Sequence, residues 1–375
     1  MNLPQQFNMD KLPNCVRSRF VEDVNGLRFH ILEAGEPDLT RPALLLLNGF
    51  PELAYSWRRI MPALANAGYY VIAPDQRGYG RTTGWCDDYD ADLAPYRLLN
   101  LVRDMLGLLN ALDRDHVSSV IGHDFGASVA AYAALIRPDV FRSMTLMSAP
   151  FAGPPTLGPI APDNIHEELK ALNKPRKHYQ WYYSNRSANT DMQCCSQGVH
   201  NFLRAYFHYK SADWHANKPF PLAKWTAAEL AKMPTYYIMD LNKNMAETVA
   251  EEMPSPAQIA RNSWLPDNEL LIYSAEYQRT GFQGALNWYR CRTNGTQNRE
   301  LEVFAGRTID VPSCFIAGAS DWGVHQVPGV LDTMQNHVCS DFRFCHLVPG
   351  AGHWVQQEQS EEVSRHLLNF LRNLS

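Results

Sequence analysis

The sequence predicts an α/β protein whose mainly parallel, twisted sheet carries helices on both faces and is interrupted by an inserted helical domain. Strand-like and helix-like segments alternate in the first part of the chain, which is typical of parallel strands joined by crossover helices. The middle of the chain has no segment with the pattern of a buried strand, and strand patterns resume near the end. We therefore expect a core formed by residues 1–150 and 291–375, and a helical cap formed by residues 151–290.

Composition limits the class of protein. The 375 residues are 45% hydrophobic, 11% aromatic and 19% charged, which is typical of a globular chain that can bury a full core. The formal net charge is −5 and no basic stripe is visible, so we expect no nucleic-acid partner. We expect no signal peptide, because the sequence does not begin with a basic region followed by an apolar core, and no apolar run approaches the roughly 20 residues that cross a bilayer. The 8 scattered cysteines lack zinc-ligand spacing. These features predict a cytoplasmic protein with free thiols and no membrane span.

Apolar periodicity assigns the elements of the first part. Ala43–Leu47 is a continuous apolar run, as expected of a strand that is covered on both faces. Leu98–Leu112 repeats apolar residues at spacings of three and four, as a helix does. Phe125–Ile136 is also helical and ends before Pro138, which cannot continue a helix. The same reasoning predicts a helix at Tyr55–Ala67 and strands at Leu27–Leu32, Tyr69–Ala73, Val117–Ile121 and Met144–Met147.

The remainder of the chain changes character. Residues 151–290 are rich in aromatic residues, Pro, Asn and Lys, and their helical segments, such as Ala228–Lys232 and Ser255–Ser263, are amphipathic. The core pattern then resumes, with strands at Cys314–Ala317 and Phe342–Val348 and a final amphipathic helix at Ser360–Leu374.

The pentapeptide Gly122–Gly126 (Gly-His-Asp-Phe-Gly) is the strongest local sign of chemistry. It follows the strand Val117–Ile121 and opens a helix, which is the context of a nucleophile elbow. Small glycines permit a sharp turn there, and the turn exposes the central side chain. That residue is Asp124, so the motif predicts a carboxylate nucleophile. Taken alone, the pentapeptide also fits an ordinary loop in which an Asp caps the next helix.

An acid and a His follow in the chain order that an elbow nucleophile requires. Asp321 comes just past the strand Cys314–Ala317, and His353 lies in a glycine-lined loop after the strand that follows. Residues 148–150, the other position for the acid, are Ser-Ala-Pro and offer no carboxylate. Singly, such an Asp or His is more often a turn or structural residue. Because the carboxyl ends of parallel strands lie on one face, we expect Asp124, Asp321 and His353 to meet as a triad.

Two further turns follow predicted strands. In Asn48–Pro51, a tight turn can direct the Phe50 N–H into the site, where it would form an oxyanion hole with the Phe125 N–H. A plain turn is the alternative interpretation. Asp75–Gly80 (Asp-Gln-Arg-Gly-Tyr-Gly) is interpreted as a turn and packing motif that supports the site without direct chemistry.

Together these motifs resemble the soluble epoxide hydrolases of the α/β-hydrolase superfamily, from about Leu27 to the end of the chain. Two further matches lie in the insertion. Tyr179-Gln180 resembles the first cap tyrosine motif of that family, and Asn287–Arg290 (Asn-Trp-Tyr-Arg) resembles the second. The resemblance implies the α/β-hydrolase fold with an inserted helical cap.

The resemblance also implies a reaction, the conversion of an epoxide and water to a vicinal diol. Asp124 would attack an epoxide carbon and form an alkyl-enzyme ester, while Tyr179 and Tyr289 donate to the leaving oxygen. His353, held by Asp321, would then activate the water that hydrolyses the ester. This chemistry requires no metal and no organic cofactor. The implied partner is a small apolar epoxide, a homodimer is compatible with the resemblance, and the implied substrate contacts are Pro51, Gln180 and Trp288.

Two departures from the family pattern leave alternatives open. Asn48 stands where this turn usually begins with His, which brings the geometry of the turn into question. Phe125 stands where many relatives have Trp. A haloalkane or haloacid dehalogenase shares the Asp-His-Asp logic, but it usually binds the departing halide with an indole N–H beside the nucleophile, which Phe125 lacks. A catalytically silent ligand-binding protein of the same fold is a third alternative, and the intact triad argues against it.

Overall fold

The computed structural model describes Pro4, Phe7 and residues 9–158, 163–295 and 299–374. The strands are β1 (Val16–Val24), β2 (Leu27–Ala34), β3 (Ala43–Leu47), β4 (Tyr70–Pro74), β5 (Ser119–His123), β6 (Met144–Met147), β7 (Arg176–His178), β8 (Ile238–Asp240), β9 (Ser313–Gly318) and β10 (Phe342–Val348). The helices are α1 (Met61–Asn66), α2 (Leu98–Ala111), α3 (Phe125–Ile136), α4 (Ile165–Lys170), α5 (Tyr179–Tyr183), α6 (Ala188–Gln193), α7 (Gly198–Lys210), α8 (Ala227–Leu230), α9 (Met245–Ala250), α10 (Pro256–Arg261), α11 (Asp267–Thr280), α12 (Gln283–Thr293), α13 (Val330–Thr333), α14 (Val355–Glu358) and α15 (Ser360–Arg372). Short 3₁₀ turns lie at Met9–Lys11, Ala54–Trp57, Ala94–Tyr96, Arg299–Phe304 and Trp322–His325, with a π turn at Met334–Val338. None of these helices is long and apolar enough to cross a bilayer.

Eight strands form one sheet in the order β1-β2-β4-β3-β5-β6-β9-β10. β2 pairs antiparallel with both β1 and β4. The other strands of this sheet run parallel to β4, in the order β4-β3-β5-β6-β9-β10. β3, β4 and β5 are buried along their whole length, which explains the continuous apolar runs of β3 and β4. Of the flanking helices, α2 packs on α3 and α1 packs on α15. The predicted α/β-hydrolase fold, with its mainly parallel sheet, is confirmed.

Two core elements differ from the sequence prediction. β1 has no predicted counterpart, because charged residues interrupt its pattern and only Val16, Val21 and Val24 are buried along it. The predicted helix at residues 55–67 is instead a 3₁₀ turn followed by α1, which has Pro62 in its first turn. Proline has no N–H to bond to the preceding turn, so α1 begins there and the two segments do not form one helix.

The insertion between β6 and β9 contains α4 to α12 and a two-stranded antiparallel ladder, β7 with β8. The prediction of a helical insertion misses this ladder, because strands of three residues are too short to show alternation. α12, which contains residue 290, ends at Thr293. The domain boundaries at residues 150 and 290 stay a prediction.

Aromatic rings and one buried guanidinium join the insertion to the core. Phe50, just past β3, packs edge to face against Tyr183 and Tyr289, with ring centroids 5.1 and 5.6 Å apart. Arg58 forms an ion pair with Glu269 of α11. The Arg58 guanidinium also donates to Gln357 of α14 at 2.7 Å. These contacts hold the insertion over the carboxyl ends of the parallel strands.

Replacing Gly122 with Ala should destabilise the fold. A Cβ at Gly122 would lie 2.2 Å from the Gly126 carbonyl oxygen, so backbone would have to move. We expect the unfolding free energy, measured by urea titration, to fall by about 1–3 kcal/mol, the usual cost of overpacking. Gly107→Ala in α2 is the matched control, because its nearest neighbour is the Val24 side chain at 3.2 Å and helix propensity favours Ala by about 1 kcal/mol. Equal losses in both variants would contradict this explanation.

Candidate active site

Asp124 lies at the turn from β5 to α3 in a strained backbone conformation. Its φ is 53° and its ψ is −118°, a combination that costs of order 1–3 kcal/mol in a residue other than glycine. Gly126 makes the turn possible, because a Cβ there would lie 2.2 Å from the Leu47 carbonyl oxygen. The strained turn directs the Asp124 side chain outward at the end of the sheet, as the elbow pattern predicts.

The structure brings Asp124, Asp321 and His353 together at the carboxyl ends of β5, β9 and β10. His353 Nδ1 lies 3.1 and 3.2 Å from the two carboxylate oxygens of Asp321. On the other side of the ring, His353 Nε2 lies 3.4 Å from Asp124 Oδ2. All three residues are at most 8% exposed. Each nitrogen of the imidazole therefore faces one buried carboxylate.

The turn after β3 supplies a hydrogen bond to the Asp124 carboxylate. The Phe50 N–H donates to Asp124 Oδ1 at 2.9 Å. A Cβ on Gly49 would lie 2.4 Å from that oxygen and 2.7 Å from the Phe125 nitrogen. A side chain at position 49 would therefore displace the Asp124 carboxylate and crowd the Phe125 nitrogen, so the turn requires a glycine there.

Asn48 and the motif Asp75–Gly80 support this turn. Asn48 Nδ2 donates to the Glu52 carbonyl oxygen at 3.1 Å, which closes the loop behind Phe50. Gln76 Nε2 donates to the Asn48 carbonyl oxygen at 2.6 Å. The turn therefore forms with Asn48 in place of His.

Neighbouring charges keep Asp124 ionised in spite of its burial. Burial opposes the charge of this carboxylate, but the hydrogen bond and charge of His353 outweigh it, with further contributions from Lys210 and His123. The pKa of Asp124 is consequently held well below its ordinary value. The carboxylate is therefore a charged nucleophile at any pH near neutrality.

A buried hydrogen-bonded chain leads from the turn after β3 to the backbone of His353. Glu52 Oε2 lies 2.6 Å from His123 Nδ1, and His123 Nε2 lies 2.7 Å from the His353 carbonyl oxygen. Burial opposes a charge on His123, but Glu52 outweighs it and raises the pKa of this imidazole. The sequence offers one signal for this chain, since His123 stands inside the elbow motif.

A second buried carboxylate, Glu358 of α14, holds the loop of His353. It accepts hydrogen bonds from the N–H groups of Gly352 at 2.9 Å and Trp354 at 3.0 Å, on either side of His353. It also accepts from the Ala212 N–H of the insertion at 2.8 Å. Sequence reasoning misses this role, because a single Glu near a helix end belongs to no motif.

Lys210, the last residue of α7, places a buried cation beside the triad. It is 3% exposed. Its Nζ lies 4.8 Å from the ring centroid of Tyr237 and 5.4 Å from those of Tyr206 and Trp354. Burial lowers the pKa of the ammonium to about 8, and the charge of Asp124 is the largest effect that limits this fall. Sequence reasoning also misses this residue.

The two predicted tyrosines and Asp124 line one cavity of about 240 Å³. The Tyr179 hydroxyl donates to Gln326 Oε1 at 3.0 Å and accepts from Gln180 Nε2 at 3.1 Å. The rings of Tyr179 and Tyr289 have centroids 6.0 Å apart. Burial, and then the charge of Asp124, raise the pKa of both phenols. Both are therefore neutral hydrogen-bond donors at neutral pH.

A second cavity of about 460 Å³ adjoins the first. Trp288 lines it, and Trp288 Nε1 donates to the Arg77 carbonyl oxygen at 2.9 Å, so this indole N–H already has an acceptor within the protein. Pro51 is buried in its turn and is not among the residues that line either cavity. The residues shared by the two cavities are Phe125, Ser128, Pro150, Arg292, Val327 and Val330.

Known proteins are similar to this chain in both sequence and structure. Residues 42–359 match the family described as the alpha/beta hydrolase fold. The chain is 33% identical to epoxide hydrolase A of Mycobacterium tuberculosis over 359 residues, which cover 94% of this chain and 96% of that protein. The structure is similar to that of an epoxide hydrolase from an endophytic Streptomyces, with 30% identity, a TM-score of 0.78, and coverage of 96% and 97% of the two chains. It is also similar to epoxide hydrolase I of potato (Solanum tuberosum), with 29% identity, a TM-score of 0.73, and coverage of 96% and 99%.

Replacing Lys210 with Met should change how stability depends on pH. The Lys210 pKa is about 8 in the folded protein, and a Lys in an unfolded chain has a pKa of about 10.4. Between these values the unfolded state binds more protons, so this residue makes the unfolding free energy rise with pH. We therefore expect the Met variant to be more stable than the wild type near neutral pH, and the difference to shrink as pH rises through this window.

Urea titrations between pH of about 7 and about 10 would measure this difference. Lys218→Met is the control, because Lys218 is exposed and the same substitution there removes no buried ammonium. A difference between wild type and Lys210→Met that is constant across the window would contradict a buried ammonium.

Proposed function

This chain belongs to the epoxide hydrolases of the α/β-hydrolase fold family, and we propose that it converts an epoxide and water to a vicinal diol through a covalent ester on Asp124. The observation that carries the proposal is the setting of the Asp124 carboxylate. It accepts the Phe50 N–H at 2.9 Å, lies 3.4 Å from His353 Nε2, and faces a cavity that two phenols also line. A nucleophile, a base and donors for a departing oxygen are thereby available at one point.

The first step is alkylation of Asp124. A carboxylate oxygen attacks one epoxide carbon from the side opposite its C–O bond, so that an ester C–O bond forms while the epoxide bond breaks. The departing oxygen receives hydrogen bonds from Tyr179 and Tyr289 and a proton from one of them, which becomes a tyrosinate. The raised pKa values keep both phenols neutral, so each can donate a hydrogen bond as the ring opens.

The second step is hydrolysis of the ester. Asp321 holds His353 Nδ1, which leaves Nε2 free to take a proton from water as the water attacks the ester carbonyl carbon. The oxyanion that forms is stabilised by the N–H groups of Phe50 and Phe125. Collapse of this oxyanion breaks the acyl C–O bond, while the proton on His353 passes to the leaving diol oxygen. The second proton of the water then passes from the new Asp124 carboxyl group to the tyrosinate that the first step left, which restores the Asp124 carboxylate and both phenols.

The alternatives fit the site less well. A dehalogenase needs a donor for a halide beside the nucleophile, and the side chain that follows Asp124 is Phe125, which has no N–H. Trp288 lines the second cavity and not the cavity that Asp124 and the two tyrosines line, and its N–H is bound to the Arg77 carbonyl oxygen. Two neutral phenols suit an alkoxide better. A silent binding protein would not require an imidazole held between two buried carboxylates.

The cavities support an apolar epoxide with a bulky substituent as the substrate. The first cavity, of about 240 Å³, holds the reacting groups, and the second, of about 460 Å³, has apolar side chains such as Leu98, Leu101 and Phe151 in its lining. We propose that the oxirane lies in the first cavity and the substituent extends into the second. The absence of a nucleic-acid partner, a cytoplasmic location and a homodimer stay predictions from the sequence.

Replacing His353 with Gln should trap the ester. Alkylation needs Asp124 and the phenols, whereas hydrolysis needs the base, so the variant should stop after the first step. Intact-protein mass spectrometry, after incubation with a panel of aryl and alkyl epoxides and haloalkanes, should show an adduct equal to the full mass of the epoxide. Peptide mapping should place the adduct on Asp124.

The control is the double variant Asp124→Asn, His353→Gln, which should form no adduct, and Asp124→Ala alone should abolish turnover. An adduct that lacks the halogen and forms only from haloalkanes would assign a dehalogenase instead. If no adduct forms with any epoxide that the wild type turns over, the covalent mechanism is wrong.

Replacing Tyr179 or Tyr289 with Phe should slow alkylation, and replacing both should nearly stop it. General acid groups contribute about 10²–10⁴-fold to rates, so we expect a loss of this size in the double variant. Single-turnover formation of the adduct in the His353→Gln background would measure this step directly. Tyr183→Phe is the matched control, since its hydroxyl donates to Tyr206 at 3.2 Å. An equal loss in Tyr183→Phe would assign the effect to packing.

A further inference from the structure

A cluster of two imidazoles and one carboxylate lies at the edge of the sheet, apart from the triad. His346 belongs to the edge strand β10, and Glu362 and His366 belong to α15. One ligand atom from each of the three side chains lies within 4.8 Å of the other two. None of the three takes part in the proposed reaction. We propose that they bind a divalent transition-metal ion, for which zinc is the natural probe.

The fold places the three side chains on facing surfaces. Glu362 and His366 are four residues apart, so they lie one turn above each other on the same face of α15. In β10, His346 is two residues from Phe344 and therefore shares its face of the strand. Phe344 packs against Phe370 of α15, with ring centroids 6.0 Å apart. His346 is thereby brought against His366, and the centroids of the two imidazoles are 3.7 Å apart.

Two of the three ligand groups already contact a cation. The guanidinium of Arg365 forms an ion pair with Glu362 and lies 3.2 Å from His366 Nε2. A guanidinium only donates hydrogen bonds, so Nε2 is the acceptor in this contact. His366 Nε2 also lies 3.5 Å from Glu362 Oε1, so both ligand atoms and the positive charge lie together. Because the Arg365 side chain is 54% exposed, it can move into solvent when a metal ion takes its place.

The donor set indicates which ions would bind. Imidazole nitrogen suits Zn²⁺, Cu²⁺ and Ni²⁺, whereas Mg²⁺ and Ca²⁺ prefer oxygen ligands. Bonds of about 2.0–2.2 Å would bring tetrahedral ligand atoms to about 3.5 Å from one another. His346, Glu362 and His366 are all partly exposed, so small side-chain rotations can close the remaining distance. A groove of about 590 Å³, lined by both imidazoles, gives an ion and a fourth ligand from water access to the site.

Such an ion would join β10, which precedes the His353 loop, to α15, which follows that loop and α14. Since a ligand that binds only the folded state stabilises it by mass action, zinc should raise the temperature of unfolding. The same ion need not alter the reaction, because its ligands lie outside both cavities.

The test uses the full chain, freed of metal with EDTA and titrated with zinc by isothermal calorimetry. We expect one saturable site for zinc and none for Mg²⁺. His346→Ala, Glu362→Gln and His366→Asn should each weaken zinc binding by about tenfold or more, an increase of about 1.4 kcal/mol in the binding free energy. His337→Ala is the control, because His337 is exposed and stands outside the cluster. Circular dichroism of the metal-free variants would show whether each still folds.

Arg365→Ala provides a test that a folding defect cannot imitate. Removing the guanidinium removes a competing cation, so this variant should bind zinc more tightly than the wild type and gain more in unfolding temperature when zinc is added. Absence of saturable binding would overturn the proposal. If the three ligand variants bind zinc as tightly as the wild type, the proposal is also wrong. The ion would then bind elsewhere, for instance at the exposed thiol of Cys194.

Discussion

The buried carboxylate of Asp124 has to stay ionised in a site from which aromatic side chains exclude water. Much of the surrounding structure supplies the interactions that keep it charged. An isolated carboxylate in such surroundings would take up a proton. The Phe50 N–H, the imidazole of His353 and the ammonium of Lys210 supply the compensating interactions. Burial likewise opposes the positive charge of Lys210. Nearby carboxylates and the faces of surrounding rings compensate for this.

Backbone geometry is the second condition for the site. The nucleophile, the N–H donors and the imidazole stand on loops after different strands, and each loop is held by buried polar groups. Glu52 and His123 connect the turn after β3 to the backbone of His353, while Glu358 binds the N–H groups on either side of it. Breaking these hydrogen bonds would leave buried polar groups without partners, so the bonds favour one arrangement of the loops. The strain at Asp124 persists for the same reason.

The insertion covers the active site and also supplies groups to it. It brings the two phenols to the cavity, and its α7 supplies the buried ammonium as well as the carbonyl oxygen that accepts the His353 N–H at 2.9 Å. Tyr289 also packs against the rings of Phe50 and Phe125, whose N–H groups form the proposed oxyanion hole. Movement of the insertion would therefore disturb the nucleophile and its donors together. The activity and the attachment of the insertion depend on the same contacts.

The amino-acid sequence predicted the parallel core, the elbow at Asp124 and the chain order of nucleophile, acid and His, because each produces a local pattern: an apolar run, a glycine spacing, or a polar residue just past a strand. It also indicated the tyrosine motifs of the insertion, through resemblance. It did not indicate β1, whose charged edge interrupts the pattern, or the ladder of β7 and β8, which is too short to have one. The roles of Lys210, Glu358 and the cluster around His366 become visible only in the folded chain. Their roles depend on burial and on partners far away in the chain, and neither can be read from the residues beside them.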